Sequence, residues 1–589
     1  MSNDNFYLGI DLGTTNSTIS LINIDNDGKI IPKTLDIEQV DDYGLGFTYD
    51  PIVPSALYID ETGVKNVGKY AIKMLDTYPK RVLREAKRHI GVLRDGRPAE
   101  WNINEEIFTP EMVSSYVLKK LKKEAEKHLQ REVDSVVITV PANFNFNQVG
   151  ATRMAAKLAG FHPEKIYTLA EPTAALIDYL NEEKQKSKET RRLYIGEESK
   201  KLLVFDLGGG TCDVSIMEVS EDSQEKINIK ELSVSQYTEL GGVDFDNIIV
   251  NRLLLPKLMK AKNISPREIR QLSQDVSIVL QSNLKRVAEN AKKYFARIVK
   301  SRIDMDEINY FDNSEQCDDI KYREMIMGLP TELTCTFEIT KKEYDMCIKE
   351  FLYVSPQGKD IESPILNALK YANLSINDID QVFLVGGMTN YPTIQKRIYE
   401  IFNKRIKPIA SINPMFSVSR GASVYNYHKG KISIAGPGES NAGRKDVEGD
   451  IDVESILPDN IYINVLVGDP IPLLEKGTQA GSSKIIEDKF FVSDKSGKGT
   501  ITEMDLNLFS AESAISMKRV ELKSAILKFK KPVQSGTRIS IKAEYTENRE
   551  VVVSAWLTDD ETEKINVEIG SNEISIEKQE DIKNDNNIR

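Results

Sequence analysis

Two stretches of this chain, 195 residues apart, repeat one another. Residues 8–22 (LGIDLGTTNSTISLI) align without a gap on residues 203–217 (LVFDLGGGTCDVSIM), with five of fifteen positions identical: the leading Leu, the Asp-Leu-Gly run and a Ser. Each copy reads as an apolar strand, a turn and a second strand. A unit duplicated at that distance predicts two half-domains of one topology facing each other across a cleft. The plainer alternative is a chance match between two buried strands.

The turns carry the chemistry. Gly13 in one copy and Gly208, Gly209 and Gly210 in the other let the backbone turn tightly and aim N–H groups at phosphate oxygens. Thr14, Thr15 and Thr211 add hydroxyl donors. Asp11 and Asp206 close the strands that lead into the turns. Two acids beside a phosphate repel it unless a divalent cation lies between, so Mg²⁺ held mostly through water is expected. The bland reading of each copy is a glycine-rich hairpin with a turn-capping Asp. A third apolar strand runs into a glycine pair at residues 381–392 (QVFLVGGMTNYP), where Gly386 and Gly387 would admit a flat base or ribose against the backbone.

Up to about residue 430, apolar strand-like runs alternate with amphipathic helical stretches, which predicts an α/β architecture. Residues 181–200 are dense in charge and read as an exposed loop or helix tip. Residues 431–457 turn rich in Gly, Ser and acids and read as an interdomain linker. From residue 458 to 576 the period of two takes over, as in TRISIKAEY at 537–545, and predicts a β-sandwich. Residues 577–589 are polar and read as a disordered tail. A chain of 589 residues needs two or more domains. Its net charge of −12 argues against nucleic acid as a bulk partner. Four scattered cysteines and four scattered histidines give neither a zinc pattern nor a disulfide framework. The beginning of the sequence lacks the pattern of a signal peptide, and no apolar run is long enough to span a bilayer, so a soluble cytoplasmic protein is expected.

Taken together, IDLGTTNS, VITVPANF, LAEPTAALIDYL, VFDLGGGTCDVSI, ELGGVDFDNIIV and VFLVGGMT resemble, in order and spacing, the phosphate and adenosine motifs of the heat-shock protein 70 family, within the actin and sugar-kinase superfamily. The resemblance implies an actin-like two-lobed ATPase domain over residues 1–430, a peptide-binding β-sandwich, slow hydrolysis of ATP to ADP with Mg²⁺, and a chaperone acting on extended polypeptide, with J-domain and nucleotide-exchange co-chaperones as further partners. It places phosphate contacts on Thr14, Thr15, Lys87, Gly208, Gly209 and Thr211. Metal-shell and water-orienting acids fall on Asp11, Glu171, Asp206 and Asp213, and nucleotide contacts on Gly241, Gly242, Glu289, Lys292, Lys293, Gly386, Gly387, Met388 and Asn390. Lys87 would stabilise charge on the transferred phosphoryl group, because phosphoryl transfer needs positioning and neutralisation more than covalent help.

Departures cluster at the adenosine. Two arginines that sandwich adenine in the family are here Lys293 and Asn390, and neither an ammonium nor an amide replaces guanidinium stacking. Met388 and Ala296 stand for hydroxyl residues, and Phe416 ends a changed N-P-D-E motif. Pro141 matches the family's switch proline, but its partner arginine is Val149. In the β-rich half, Val465, Leu466 and Val467 align with the strand that lines the peptide groove, although a plain sandwich core remains the alternative. No long helical stretch follows the β-rich segment, so the family's helical lid is expected to be absent. Three other functions stay open: a metabolite kinase of the same superfold, a nucleotide-sensing scaffold with little turnover, and a filament-forming actin relative.

Overall fold

The computed structural model describes the chain except residues 1–6, 26–28, 42–43, 95–96, 224–225, 236–237, 328, 331, 411–413, 434–450, 466–467, 494–498, 517–518, 523–524, 569–575, 586–587 and 589. Its sheets make the duplication explicit. The first sheet holds β1 (Gly9–Leu12), β2 (Asn16–Ile24), β3 (Ile30–Thr34), β4 (Val136–Val140) and β5 (Ile166–Ala170) in the order β5-β4-β1-β2-β3. The second holds β6 (Lys200–Leu207), β7 (Cys212–Glu221), β8 (Ile227–Val234), β9 (Gln381–Val385), β10 (Ile409–Ala410) and β11 (Ile451–Glu454) in the order β10-β9-β6-β7-β8-β11. Strand for strand, the first five positions correspond. β1 is antiparallel to β2 and parallel to β4, as β6 is to β7 and β9. Register repeats as well: Asp11 pairs with Thr18 and Asp206 with Asp213, the same positions that the sequence alignment superposes. A chance match of two strands would not reproduce both order and register.

Central strands such as β4 (VVITV) are buried at every position, as parallel strands covered on both faces must be. The helices that matter for the site are α1 (Pro110–Leu129), α2 (Phe146–Leu158), α3 (Glu171–Lys184), α4 (Gly242–Ile249), α5 (Gln274–Asp304), α6 (Ser417–Ser433) and α7 (Ile576–Asn584). Thr109 caps α1, with Pro110 in its first turn, and an Asn145–Gln148 capping box starts α2. Helices α3 and α6 pack on each other, α6 against the first sheet and α3 against strands of both. A methyl group on Gly421 would lie 1.7 Å from the Ala174 carbonyl oxygen, so only glycine permits that approach.

Beyond β11 the chain is built of strands. Two four-stranded antiparallel sheets, Ile471–Leu474/Asn460–Ile463/Leu508–Ala511/Arg519–Glu521 and Ser483–Phe491/Arg538–Tyr545/Val551–Leu557/Asp560–Glu568, share one apolar core with the pair Thr500–Leu506/Ala525–Gln534. This β-module is packed against the two-lobed body. The Phe146 ring enters its core, 6.3 Å from that of Tyr545. The Asn147 side-chain amide donates to the Glu521 carbonyl (2.9 Å), and Arg153 pairs with Glu550 (2.6 Å).

Two segments differ from their composition. Part of the expected linker, residues 434–450, lies outside the described residues. Its end is not loose: Ile451–Glu454 is the strand β11, parallel to β8, and Leu457 is buried in the β-module core. The alternation Ile-Asp-Val-Glu is a strand signal, but too short to stand out from a Gly- and acid-rich neighbourhood. The expected disordered tail contains α7, and its Ile582 is 3% exposed within the first lobe's core. A nine-residue polar helix has no stability of its own, so composition misses a helix supported only by its seat. The four cysteines are free. Among the described residues no helix is long and apolar enough to cross a membrane.

Candidate nucleotide site

The two glycine turns meet between the lobes. A methyl group on Gly209 would fall 2.3 Å from Thr15 Oγ1, and one on Gly210 would fall 2.9 Å from Thr14 Oγ1. Behind them, at the start of α4, the Gly242 and Val243 amides donate to the carbonyls of Gly208 and Gly209 (3.0 Å each). Gly241 has no room for a side chain, since its methyl would sit 2.3 Å from the Gly210 nitrogen. A cleft of about 1250 Å³ opens in front. Asp11, Gly13, Thr14, Thr15, Lys87, Glu171, Asp206, Gly208, Gly209, Thr211 and Gly242 line its floor, and Glu289, Lys292, Lys293, Gly386, Gly387, Met388 and Asn390 its far end. Gly210, Gly241 and Asp213 stand behind that wall rather than on it.

Lys87 sits on the single helical turn Ala86–Arg88, entered through Glu85 in the left-handed region and supported by α1. Its ammonium donates to Glu171, the first residue of α3, and both side chains are buried. Burial alone would lower the Lys87 ammonium, but Glu171 and Asp11 outweigh it and hold the group above its ordinary value. The acids move the other way. Burial first, then Glu171, raises Asp11 to about 7 against the pull of Lys87. Burial and Glu171 raise Asp213 to about 8, and burial with Glu171 and Asp213 raises Asp206 well above the carboxylate range. Both Asp213 carboxylate oxygens are buried without a protein partner. Four largely buried acids around one ammonium leave an excess of negative charge that suits a cation. Among the described residues no three His, Cys, Asp or Glu lie close enough to hold a metal directly.

At the far end the polar side chains are occupied with one another. Lys292 on α5 reaches both oxygens of Asp246 (2.9 and 3.1 Å), and burial raises Asp246 to about 6 against that pull. Lys293 pairs with Glu289 (2.6 Å) at the surface. Asn390 donates back to the Gly387 carbonyl (3.2 Å), within its own turn. Gly386 has φ +83°, and a methyl there would lie 2.4 Å from the Leu207 carbonyl, so the glycine is required. The rest of that wall is mixed: Ala296, Met325, Met327, Met388, Tyr391 and Met415 stand beside Ser282, Asn283, Lys285 and Arg286 of α5.

Sequence reasoning missed several of these. Arg88, next to Lys87, crosses from the first lobe to the second, donating to the Gly210 carbonyl (3.1 Å) and pairing with Asp244, which also holds Lys359 (2.8 Å). Its neighbour in EAKRHIG was read for phosphate, and nothing local marks the arginine as an interlobe tie. Met325 and Met327 reach the cleft from a region without a recognisable pattern. In the β-module Val465 is half-buried against the apolar core, while Leu466 and Val467 lie outside the described residues.

Comparison with known proteins agrees with this geometry. The family described as "Hsp70 protein" matches residues 7–432. The chain belongs to the Hsp70 family. "Chaperone protein DnaK" of Thermotoga neapolitana is 29% identical over 519 residues, 88% of this chain and 72% of that one. Its namesake in Thermosipho melanesiensis is 29% identical over 523 residues, 89% and 73% of the two chains. That of Thermoplasma volcanium is 31% identical over 417 residues, 71% and 57%. For an Hsp70 protein the surroundings of Pro141 are changed in a specific way. Val149 is buried in the first lobe's core, and the β-module contributes an arginine at this seam. Arg549 donates to the carbonyl of Ala142 (2.8 Å), the residue after Pro141, and faces Glu231 of β8 at 3.4 Å. Both charges are almost fully buried, so replacing either alone leaves the other buried without its partner, at a cost in stability.

Proposed function

We propose that this Hsp70 protein hydrolyses ATP in the interlobe cleft and uses the β-module to hold extended polypeptide. The observation that carries this reading is the meeting of the two glycine turns around Lys87 and Glu171. The backbone amide of Gly209 and the hydroxyls of Thr14, Thr15 and Thr211 bind the phosphates, while the Gly208 amide closes the turn on the Thr211 carbonyl (3.1 Å). Lys87 neutralises charge that grows on the γ-phosphoryl oxygens as the attacking water bonds to phosphorus and the bond to the leaving ADP oxygen breaks. Asp11, Glu171 and Asp206, which line the cleft, orient water beside it. A Mg²⁺ ion, when bound among these acids, supplies further neutralisation of the phosphates. The relatives' printed name, chaperone, supports a polypeptide as the object of the cycle. Contacts across the module seam, Arg549 to Ala142 and Phe146 into the β-core, support communication between the cleft and the β-module.

The test of the cleft is single-turnover hydrolysis of ATP with Mg²⁺. Lys87→Ala lowers the rate by about 10²–10³-fold, the order of losing one preorganised charge stabiliser, with a smaller effect on ATP binding. Equal rates in variant and parent would sink the role of Lys87. For the β-module, dissociation of a fluorescent apolar peptide is measured with ADP and with ATP, in the parent and in Leu466→Asp. Binding that ignores the substitution would overturn the groove.

A further inference from the structure

The cleft does not end at the residues that would face an ATP molecule. Its volume of about 1250 Å³ exceeds the roughly 300–1000 Å³ of ordinary small-molecule sites. Past Glu289 its lining continues along α5 to Lys285, Ser282 and Val279, and along the opposite lobe through Lys69, Ile72 and Thr77. There α5 packs on the first-lobe turns Met74–Asp76 and Pro79–Arg81, and Asp275 at its start pairs with Lys80 (2.8 Å). The two lobes thus meet over a side chamber of the cleft.

The chamber is basic on both walls. Between residues 69 and 85 and between 279 and 286, the lining includes the cations Lys69, Lys73, Arg84, Lys285 and Arg286, against the single acid Glu85. Two of these cations have carboxylates outside the chamber: Lys69 pairs with Asp50 (2.7 Å) and Arg286 with Glu324. Arg84 reaches its chain neighbour Glu85 only at 3.8 Å, beyond hydrogen-bond distance. Lys285 is half-buried, and among the described residues no carboxylate pairs with it. The nearest acids are committed elsewhere, Asp246 to Lys292 and Glu289 to Lys293. Burial, then Arg84, lowers the Lys285 ammonium from its ordinary value. A cation partly withdrawn from water is normally paired. Walls of one sign around a narrow space also concentrate ions of the other sign.

We propose that this chamber is a second phosphate subsite, with Lys285 and Arg84 as its ligands from the two lobes. The cleft would then take a nucleotide that carries phosphate on a second arm, either on its ribose or as a chain continuing to another nucleoside. This rests on the nucleotide reading of the cleft. Placement favours an extended ligand. Lys285 lies one helical turn before Glu289 on the same face of α5, and Arg84 lies three residues before Lys87. A group in the chamber is therefore within reach of a ligand whose first phosphates rest on the glycine turns. A guanidinium and an ammonium together suit phosphate, the first through its planar pair of donors and the second as a point charge.

The test is titration calorimetry on the full chain with Mg²⁺. Adenosine 3′-phosphate 5′-diphosphate is compared with ADP, and diadenosine tetraphosphate with ATP. Inorganic pyrophosphate is titrated into the ADP-loaded chain as the free form of the same chemistry. In the parent, one of these extended ligands should exceed its reference by about tenfold or more, the return of one charge-assisted hydrogen bond. Lys285→Ala and Arg84→Ala should each cut that advantage to about a third or less, whereas Lys285→Arg keeps it. Which ligand holds the advantage identifies the source of the second phosphate, and pyrophosphate binding alone, lost in Lys285→Ala, would assign the chamber to the free anion. The subsite is overturned if no extended ligand gains and pyrophosphate does not bind. It is equally overturned if the gain ignores both alanine variants, or if they weaken reference and extended ligands alike. Should ADP and ATP not bind at all, the nucleotide reading falls, and pyrophosphate binding to the empty chain, compared with Lys285→Ala, still decides the subsite.

Discussion

At one end of the cleft the wall is backbone; at the other it is side chain. The phosphate end consists of two turns in which a methyl group on Gly13, Gly209 or Gly210 would collide, locked from behind by the amides of Gly242 and Val243. The nucleoside end consists of Lys292 held by Asp246, Lys293 held by Glu289, an Asn390 folded onto its own turn, and a wall of methionines. The first arrangement fixes where N–H groups point whatever the flanking residues are. The second depends on which side chains find partners, so it can drift in sequence while the cleft keeps its shape. A backbone site should thus be brittle to substitution and a side-chain site tolerant.

The sharpest way to break that contrast is at Gly241, which touches no ligand-facing surface. Its methyl would lie 2.3 Å from the Gly210 nitrogen, an atom of the opposing backbone that cannot swing aside. Overpacking of this kind costs about 1–3 kcal/mol. For Gly241→Val in a chain that still folds, ATP affinity measured by titration calorimetry falls by about 5- to 150-fold. An unchanged affinity would mean that the turn is held by something other than this contact.

The same contrast explains what could be read in the sequence. The repeat was legible because Asp-Leu-Gly and the small residues after it are demanded by backbone geometry, and the structure returns it in strand order and in register. Lys87, Glu171 and the acids come together in one cleft for the same reason: each stands at the end of a strand or the first turn of a helix. Arg88, Asp246 and the two methionines on the second lobe were not legible. Arg88 acts through Gly210 and Asp244, more than a hundred residues away, Asp246 through Lys292, 46 residues on, and the methionines through a surface without a motif. Arg549 is the extreme case, a charged residue in a strand hairpin whose partners, Ala142 and Glu231, belong to the other module. β11 and α7 were hidden differently. Their stability comes from the surfaces they meet, and composition reports only on the segment itself.

A smaller effect is expected in base choice. With Lys293 at the surface, Asn390 turned away and Arg286 engaged by Glu324 and Asn283, the base would meet mainly thioethers and alkyl groups, which pack well on a flat ring but present few donors and acceptors. Without paired polar contacts that would be left unmet by the wrong base, discrimination is weak. Competition between ATP and GTP for the cleft is the measurement, and the preference comes out below about tenfold. A strong preference for adenine would show that backbone groups of the Gly386–Gly387 turn read the base, and would move part of the nucleoside end into the backbone class.

The smallest effect concerns Lys293 itself. Its pairing with Glu289 is one helical turn apart on α5, with the lysine 68% and the glutamate 39% exposed. An ion pair in water gains little, because solvent screens the attraction and two long side chains lose freedom to form it. Such pairs contribute about 0–1 kcal/mol, and Lys293→Ala should change both thermal stability and ATP affinity within that range. Lys292→Ala is the matched control on the same helix. Its partner Asp246 is buried and would be left without its cation, so the cost there is larger and falls on folding. If Lys293→Ala weakened ATP binding by more than about tenfold, well beyond a surface pair, the ammonium would have to leave Glu289 for the nucleotide when it binds. The nucleoside end would then be assembled by the ligand rather than tolerant of change, and the contrast with the phosphate end would fail at the residue where it is now drawn most plainly.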